Sequence, residues 1–221
     1  MKNIPRIFIN EKIEPGLAIA VGKEVTHYLQ RVMRTNNCLV FNNGLEFNAA
    51  LSDDGKSLVI GCVTDHLDPS NDITFCFAPI KKTDDMINMV TQMGVAKLQP
   101  VITDRVVAHH VNWKRIEKIL IEAAEQSNRN SVPKLLPPIK FADLDKNGLV
   151  FADERAAYNS CHISHVSCHI KTAKAVLVGP EGGFSDKEFD ALDKSGAIGI
   201  SLGKTILRAE VAAVALLAKV I

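Results

Sequence analysis

Cysteine is scarce in this 221-residue chain and odd in number: five residues, with no Cys-x-x-Cys pair among them. That pattern fits a reducing compartment better than a disulfide framework. No apolar run approaches the roughly 20 residues that a membrane-spanning helix needs. The first residues, Met1-Lys2-Asn3-Ile4-Pro5-Arg6, lack the apolar core of a secretory signal. These absences predict a cytoplasmic protein without a membrane partner. Charge of one sign is missing as well. The formal net charge is +1, and the first 70 residues carry seven Lys/Arg against eight Asp/Glu. Any nucleic-acid binding must therefore use a local patch rather than a global field. No Walker loop, no Gly-x-Gly-x-x-Gly fingerprint and no Ser-His-Asp or Cys-His constellation is legible. Internal repeats and low-complexity tracts are also lacking.

What is present falls into two patterns. Up to about residue 70 the chain reads as short strands, Ile7–Asn10, Cys38–Asn42, Glu46–Leu51 and Ser57–Thr64, with hairpin-type turns at Asn42-Asn43-Gly44 and Asp53-Asp54-Gly55. One helical piece, near Glu24–Met33, interrupts them. A polar, proline-containing link, Asp68-Pro69-Ser70-Asn71-Asp72, follows. Strands and helices alternate thereafter: strands at Ile73–Ala78, Leu98–Ile102, Gly148–Ala152, Ala175–Val178 and Ile198–Leu202, and helices at Asp84–Met93, Trp113–Ser127, Asp186–Lys194 and Ala209–Val220. Such alternation predicts an α/β domain with a mostly parallel sheet covered on both faces. The expected division is a β-rich module over 1–70 and an α/β domain over 71–221.

Two glycine-rich loops carry the chemistry. Ala175–Val178 runs into Gly179-Pro180-Glu181-Gly182-Gly183-Phe184-Ser185. Glycines there let backbone groups approach a ligand without a Cβ in the way. Ser185 and Glu188 have capping-box spacing, so a helix is expected to start at Ser185. The second loop, Gly203-Lys204-Thr205-Ile206-Leu207-Arg208-Ala209-Glu210, follows the next buried strand.

These two motifs resemble the ribosomal RNA small subunit methyltransferase E family of the SPOUT class. The likeness extends upstream through Arg6-Ile7-Phe8, Tyr28–Arg34, Lys82, Thr91–Val95, Glu122–Arg129, Val132-Pro133 and Asp153-Glu154, so it covers nearly the whole chain. Two departures stand out: Gln92-Met93-Gly94 where the family usually has Glu-Leu-Gly, and Ala209-Glu210-Val211-Ala212 where it has Thr-Glu-Thr-Ala. The resemblance implies a PUA-like RNA-binding domain followed by a trefoil-knotted methyltransferase domain. It also implies S-adenosylmethionine-dependent methylation of N3 of a uridine in 16S rRNA of the small ribosomal subunit. A SPOUT enzyme acting on another RNA atom, such as a ribose 2′-hydroxyl, and a catalytically silent RNA-binding assembly factor are the alternatives.

By the same resemblance, Leu177, Val178, Gly179, Glu181, Gly182 and Gly183 from the first loop, with Ser201, Leu202, Gly203, Ile206 and Leu207 from the second, line the cofactor pocket. Glu181 reads equally as an acid bonding nearby backbone N–H groups and as a contact to cofactor or uridine, and in the second reading it is an expected catalytic residue. Arg208, whose planar fork suits phosphate or base recognition, is the expected catalytic arginine, and Glu210 is expected to complement a helix N-terminus. Arg31 and Arg34, three apart on the candidate helix and so on one face, join Lys82 and Arg129 as expected RNA contacts. Cys161-His162-x-x-His165-x-x-Cys168-His169 matches no common zinc spacing, and no metal is expected. Ala209–Ile221 is apolar at 11 of 13 positions. A helix apolar round most of its circumference needs cover on several sides, which predicts a homodimer or burial by other elements of the same chain. The acceptor of the uridine proton is not legible.

Overall fold

The computed structural model describes residues 4–69, 71–107, 110–157 and 173–221. Two compact units result. One comprises the chain to Pro69 together with Ile121–Val132, and the other comprises Ser70–Leu120 and Pro133–Ile221. The division departs from a single cut near residue 70, because hydrogen bonds hold Arg129 and Asn130 to the N-terminal strands, as described below.

In the first unit the strands are β1 (Arg6–Phe8), β2 (Ala18–Ala20), β3 (Asn37–Asn42), β4 (Leu45–Leu51) and β5 (Ser57–Val63). They form one sheet in the order β1-β3-β4-β5-β2, parallel only between β1 and β3. The β3–β4 hairpin closes through Asn43 and Gly44, with φ of 51° and 82°. Two consecutive positive φ values define the turn that matches strand twist, and Asn-Gly adopts it at least cost. Inward residues such as Val40, Phe47, Leu51, Leu58 and Ile60 bury together with Leu29.

The interrupting helix differs from expectation. α1 (Lys23–His27) passes into a π-helical turn over Tyr28–Met33, and Arg34 lies beyond it in left-handed conformation, φ 53° and ψ 48°. Spacing of three on an α-helix therefore does not relate Arg31 to Arg34, although both are exposed.

A buried polar network organises this unit. Arg6 donates to Glu46, to the Arg129 carbonyl at 2.9 Å and to Asn130 Oδ1 at 2.7 Å. Asn130 N–H donates to Asp68 Oδ1 at 2.7 Å, and the Phe8 N–H donates to Glu125 at 3.1 Å.

The second unit holds β6 (Thr74–Phe77), α2 (Thr83–Gln92), β7 (Lys97–Ile102), α3 (Trp113–Gln126, whose last turns belong to the first unit), β8 (Lys134–Leu135), β9 (Ile139–Lys140), β10 (Leu149–Ala152), β11 (Ala175–Val178), α4 (Asp186–Ser195), β12 (Ile198–Ile200) and α5 (Ala209–Val220). Its strands run in the order β12-β10-β11-β6-β7-β8, with β9 also against β7, and every pair is parallel. β6 and β11 are the most central, and their near-continuous burial matches strands covered on both faces. On one face Leu177, Phe151 and Leu149 pack with Phe189 and Leu192 of α4. On the other, α5 packs against β10, β11 and α2.

α5 buries Ala209, Ala212, Ala213, Leu216, Leu217 and Val220 within the chain. Its outer side leaves Val211 47% exposed, and Ile221, just beyond the helix end, is 57% exposed. Among the described residues, no helix is long and apolar enough to cross a membrane.

Candidate functional site

The carboxyl ends of β10, β11 and β12 all reach the same edge of the parallel sheet, where open α/β sheets bind ligands. The loops that leave them enclose a cavity of about 430 Å³, within the range of small-molecule sites. Val178, Gly179, Glu181, Gly183, Leu202, Gly203, Ile206, Leu207 and Arg208 line it.

Three expected members do not. Leu177 is fully buried in the core beside α4, because side chains alternate along β11 and Val178 takes the cavity side. Ser201 bonds its own loop, accepting from Gly203 N–H at 3.4 Å and donating to the Gly203 carbonyl at 3.2 Å. Gly182 abuts Arg105: a Cβ there would lie 3.3 Å from Arg105 Cβ, and its carbonyl accepts from the guanidinium at 3.1 Å. Its lack of a side chain serves that packing and makes no room in the cavity.

The first loop is shaped by a tight turn and a helix cap. Gly183 N–H donates to the Pro180 carbonyl at 2.9 Å, with Gly183 at φ 67° and its missing Cβ directed at the Glu154 carboxylate. Ser185 then caps α4 as its spacing predicts. Glu188 N–H donates to Ser185 Oγ at 3.3 Å, and Ser185 N–H donates to the Glu188 carboxylate at 2.8 Å. Glu188 also accepts from Asp104 N–H at 2.9 Å, and the Ser185 hydroxyl donates to Asp104 at 2.6 Å. The cap thus ties the loop to the end of β7. Phe184, 3% exposed, supplies the floor, its ring packed on Phe141, Phe151 and Phe189 at 5.6–6.4 Å.

The polar lining is mixed. Glu181 accepts from Lys81 N–H at 3.0 Å, so its structural reading is realised, while its exposed side chain still borders the cavity. Lys82 Nζ stands 3.7 Å from Glu210 across the N-termini of α2 and α5. Arg208 occupies the N-cap of α5 and is exposed.

Several lining residues escaped sequence reasoning, above all Lys81, Asp153, Glu154 and Phe189. The usable signal was the acidic pair at the end of the β10 strand pattern, since strand carboxyl ends gather at one edge. Asp153 accepts from Arg155 Nε at 3.0 Å and from its terminal nitrogen at 2.9 Å, while Arg155 also forks to Asp193 and stacks 3.9 Å over Phe189. The Asp153 hydrogen bonds, followed by those to Asp193, push the Arg155 guanidinium above its ordinary value. Burial pushes the Cys38 and Cys76 thiols up to about 12, so neither offers a thiolate nucleophile.

Of the expected RNA contacts, Arg31, Arg34 and Lys82 are exposed. Arg129 is not: its side chain is 12% exposed and lies 3.5 Å from Asp68. The Cys161–His169 cluster lies outside the described residues.

A family model for an RNA methyltransferase domain matches residues 68–221. The ribosomal RNA small subunit methyltransferase E of Rickettsia conorii is 34% identical over 97% of this chain and 94% of its own length. The chain belongs to the ribosomal RNA small subunit methyltransferase E family. The family member from Mesomycoplasma hyopneumoniae is 28% identical over 98% of both chains. A crystal structure of the Neisseria gonorrhoeae member, bound to S-adenosylmethionine, superposes with a TM-score of 0.83 at 26% identity, covering 98% of this chain and 96% of that one. The α/β methyltransferase fold is therefore common to this chain and a solved methyltransferase E structure.

Proposed function

We propose that this protein transfers the methyl group of S-adenosylmethionine to N3 of a uridine in 16S rRNA of the small ribosomal subunit, in the cytoplasm. The observation that carries this reading is the cavity between the two glycine loops, in a chain whose family includes a member solved with that cofactor. The residues present fit the group. Val178, Leu202, Leu207 and the 66% exposed Ile206 offer apolar surface for an adenine to cover. Gly179 and Gly203 leave backbone groups accessible, and the exposed carboxylates of Glu154 and Glu181 suit ribose hydroxyls and an ammonium. When bound, the cofactor supplies a methyl group on a sulfonium that already carries its leaving group. The protein's part is positioning, which can account for much of the rate.

Arg208 and Lys82, exposed at the cavity rim, are proposed to hold phosphate or base, with Arg31 and Arg34 gripping RNA from a PUA-like N-terminal unit. Arg129, committed to Asp68, is left out of that set. The decisive experiment is mass spectrometry of small-subunit rRNA incubated with the purified protein and S-adenosylmethionine. A single uridine gaining one methyl on N3 is expected. A 2′-O-methyl product, or none, overturns the assignment in favour of another target atom or a silent assembly factor. In the same assay the double variant Arg31→Ala/Arg34→Ala should raise KM with kcat retained, and an unchanged KM would remove both residues from the RNA surface.

Two structural proposals accompany this reading. Residues 179–208 are read as the knotted stretch, supported by β12 lying at the sheet edge while α5 returns to pack on β11; an experimental chain trace through Ala209 tests it. The outer side of α5, with Val211 and Ile221, is read as a homodimer contact of twofold type. Sedimentation equilibrium should give twice 24.1 kDa, and a monomer at micromolar concentration would exclude it.

A further inference from the structure

Four carboxylates border the cavity, and their surroundings differ. Asp153 is saturated by Arg155, including its backbone N–H at 2.9 Å. Glu181 takes the Lys81 N–H and is exposed, and Glu154 is open to water. Glu210 is 9% exposed, in the first turn of α5, and among the described residues no hydrogen bond reaches its carboxylate. Among the described residues it forms an ion pair with Lys82, at 3.7 Å too long for a hydrogen bond. A carboxylate that lines the cavity and accepts no hydrogen bond keeps its acceptor capacity for a group that enters. Lys81, Lys82 and Arg208, all three exposed, line the same cavity. Cations at an open rim suit the approach of a polyanion.

We propose that Glu210 accepts the N3 proton of the uridine being methylated, and that Lys82 positions its carboxylate; this rests on the methyltransferase reading above. As Glu210 takes the proton, the electron pair of the N–H bond becomes the new N–CH3 bond, and the pair of the broken S–CH3 bond stays on sulfur. A sulfonium, a neutral uracil and a carboxylate thereby give a thioether, a neutral methyluracil and a carboxylic acid, which returns its proton to water. Charge balances without a further reactant.

Glu210→Gln tests the idea because the amide keeps the size and an acceptor oxygen but cannot take the proton. S-adenosylmethionine affinity, by calorimetry, should stay within about twofold of the parent, which also reports that the site is folded. Single-turnover transfer to small-subunit rRNA should fall by about 10²–10⁴-fold, the usual contribution of a positioned base. The residual rate should climb about tenfold per pH unit, since only uridine already ionised at N3 then reacts, while the parent profile is flatter. Glu210→Asp should recover part of the rate. A parallel loss of cofactor affinity would instead make Glu210 a ligand of the cofactor's ammonium and overturn the proposal, as would an unchanged rate or pH profile. If the parent places no methyl on uridine N3, the underlying function fails first and takes this role with it.

Discussion

Replacing Phe184 by alanine should cost about 3–5 kcal/mol, the range for removing a fully buried aromatic side chain. The ring is 3% exposed and belongs to the core cluster shared by α4, β10 and β11. Its edge meets Phe189 at 79° with centroids 5.6 Å apart and Phe151 at 85°, the tilted geometry that ring quadrupoles favour. The same ring blocks Gly179, where a Cβ would lie 3.1 Å from it. Phe184 therefore joins the hydrophobic core to the cavity floor, and its loss should be felt in both. Urea unfolding measures the first effect. The second is read as ligand linkage, because a ligand at one hundred times its Kd stabilises a folded site by about 2.7 kcal/mol. At a fixed S-adenosylmethionine concentration that increment should shrink in Phe184→Ala. A variant that loses under about 1 kcal/mol and keeps the full ligand increment would show that the ring is neither core nor floor.

The other large effect belongs to the N-terminal unit. Arg6→Ala should destabilise it by about 3–5 kcal/mol, the cost of breaking a buried ion pair by removing one partner. Arg6 and Glu46 are 7% and 3% exposed, and without the guanidinium the Glu46 carboxylate retains, among the described residues, only the Thr64 hydroxyl, at 2.8 Å. Burial draws the Arg6 guanidinium down from its ordinary value, against the pull of Asp68 and Glu125, yet an arginine remains charged in proteins. The side chain also packs over Phe41, 4.8 Å from its centroid, and holds the backbone of residues 129–130. Two units need not unfold together, so hydrogen exchange at β3 and β4 amides is the appropriate readout. Faster exchange there is expected in Arg6→Ala. The double replacement Arg6→Met/Glu46→Leu should restore protection, since apolar substitutes avoid the desolvation of both charges. Equal exchange in Arg6→Ala and the parent would show that the network carries no stability.

Local pattern alone determined most of the architecture. Alternating apolar strands and amphipathic helices marked the parallel sheet after residue 70, with Ala175–Val178 and Ala209–Val220 matching the observed elements end to end. Asn43-Gly44 and the Ser185–Glu188 spacing specified a turn and a cap, because both depend on a few consecutive backbone angles. The two glycine loops were legible for the same reason.

Tertiary structure decided the rest, where the outcome depends on residues far apart in the chain. β2 is only three residues long and takes its partner from β5, so no periodicity could display it. Arg34 turned left-handed after a π-helical turn, a local geometry that three-residue spacing does not encode. Arg129 reads as a free cation until Asp68, 61 positions earlier, is brought within 3.5 Å. Glu210 reads as a helix-terminal acid until α5 packs on α2 and sets Lys82 beside it. Helices, turns and caps are settled by neighbours in sequence; the burial and partners of a charged side chain are settled by whichever distant segments the fold packs around it.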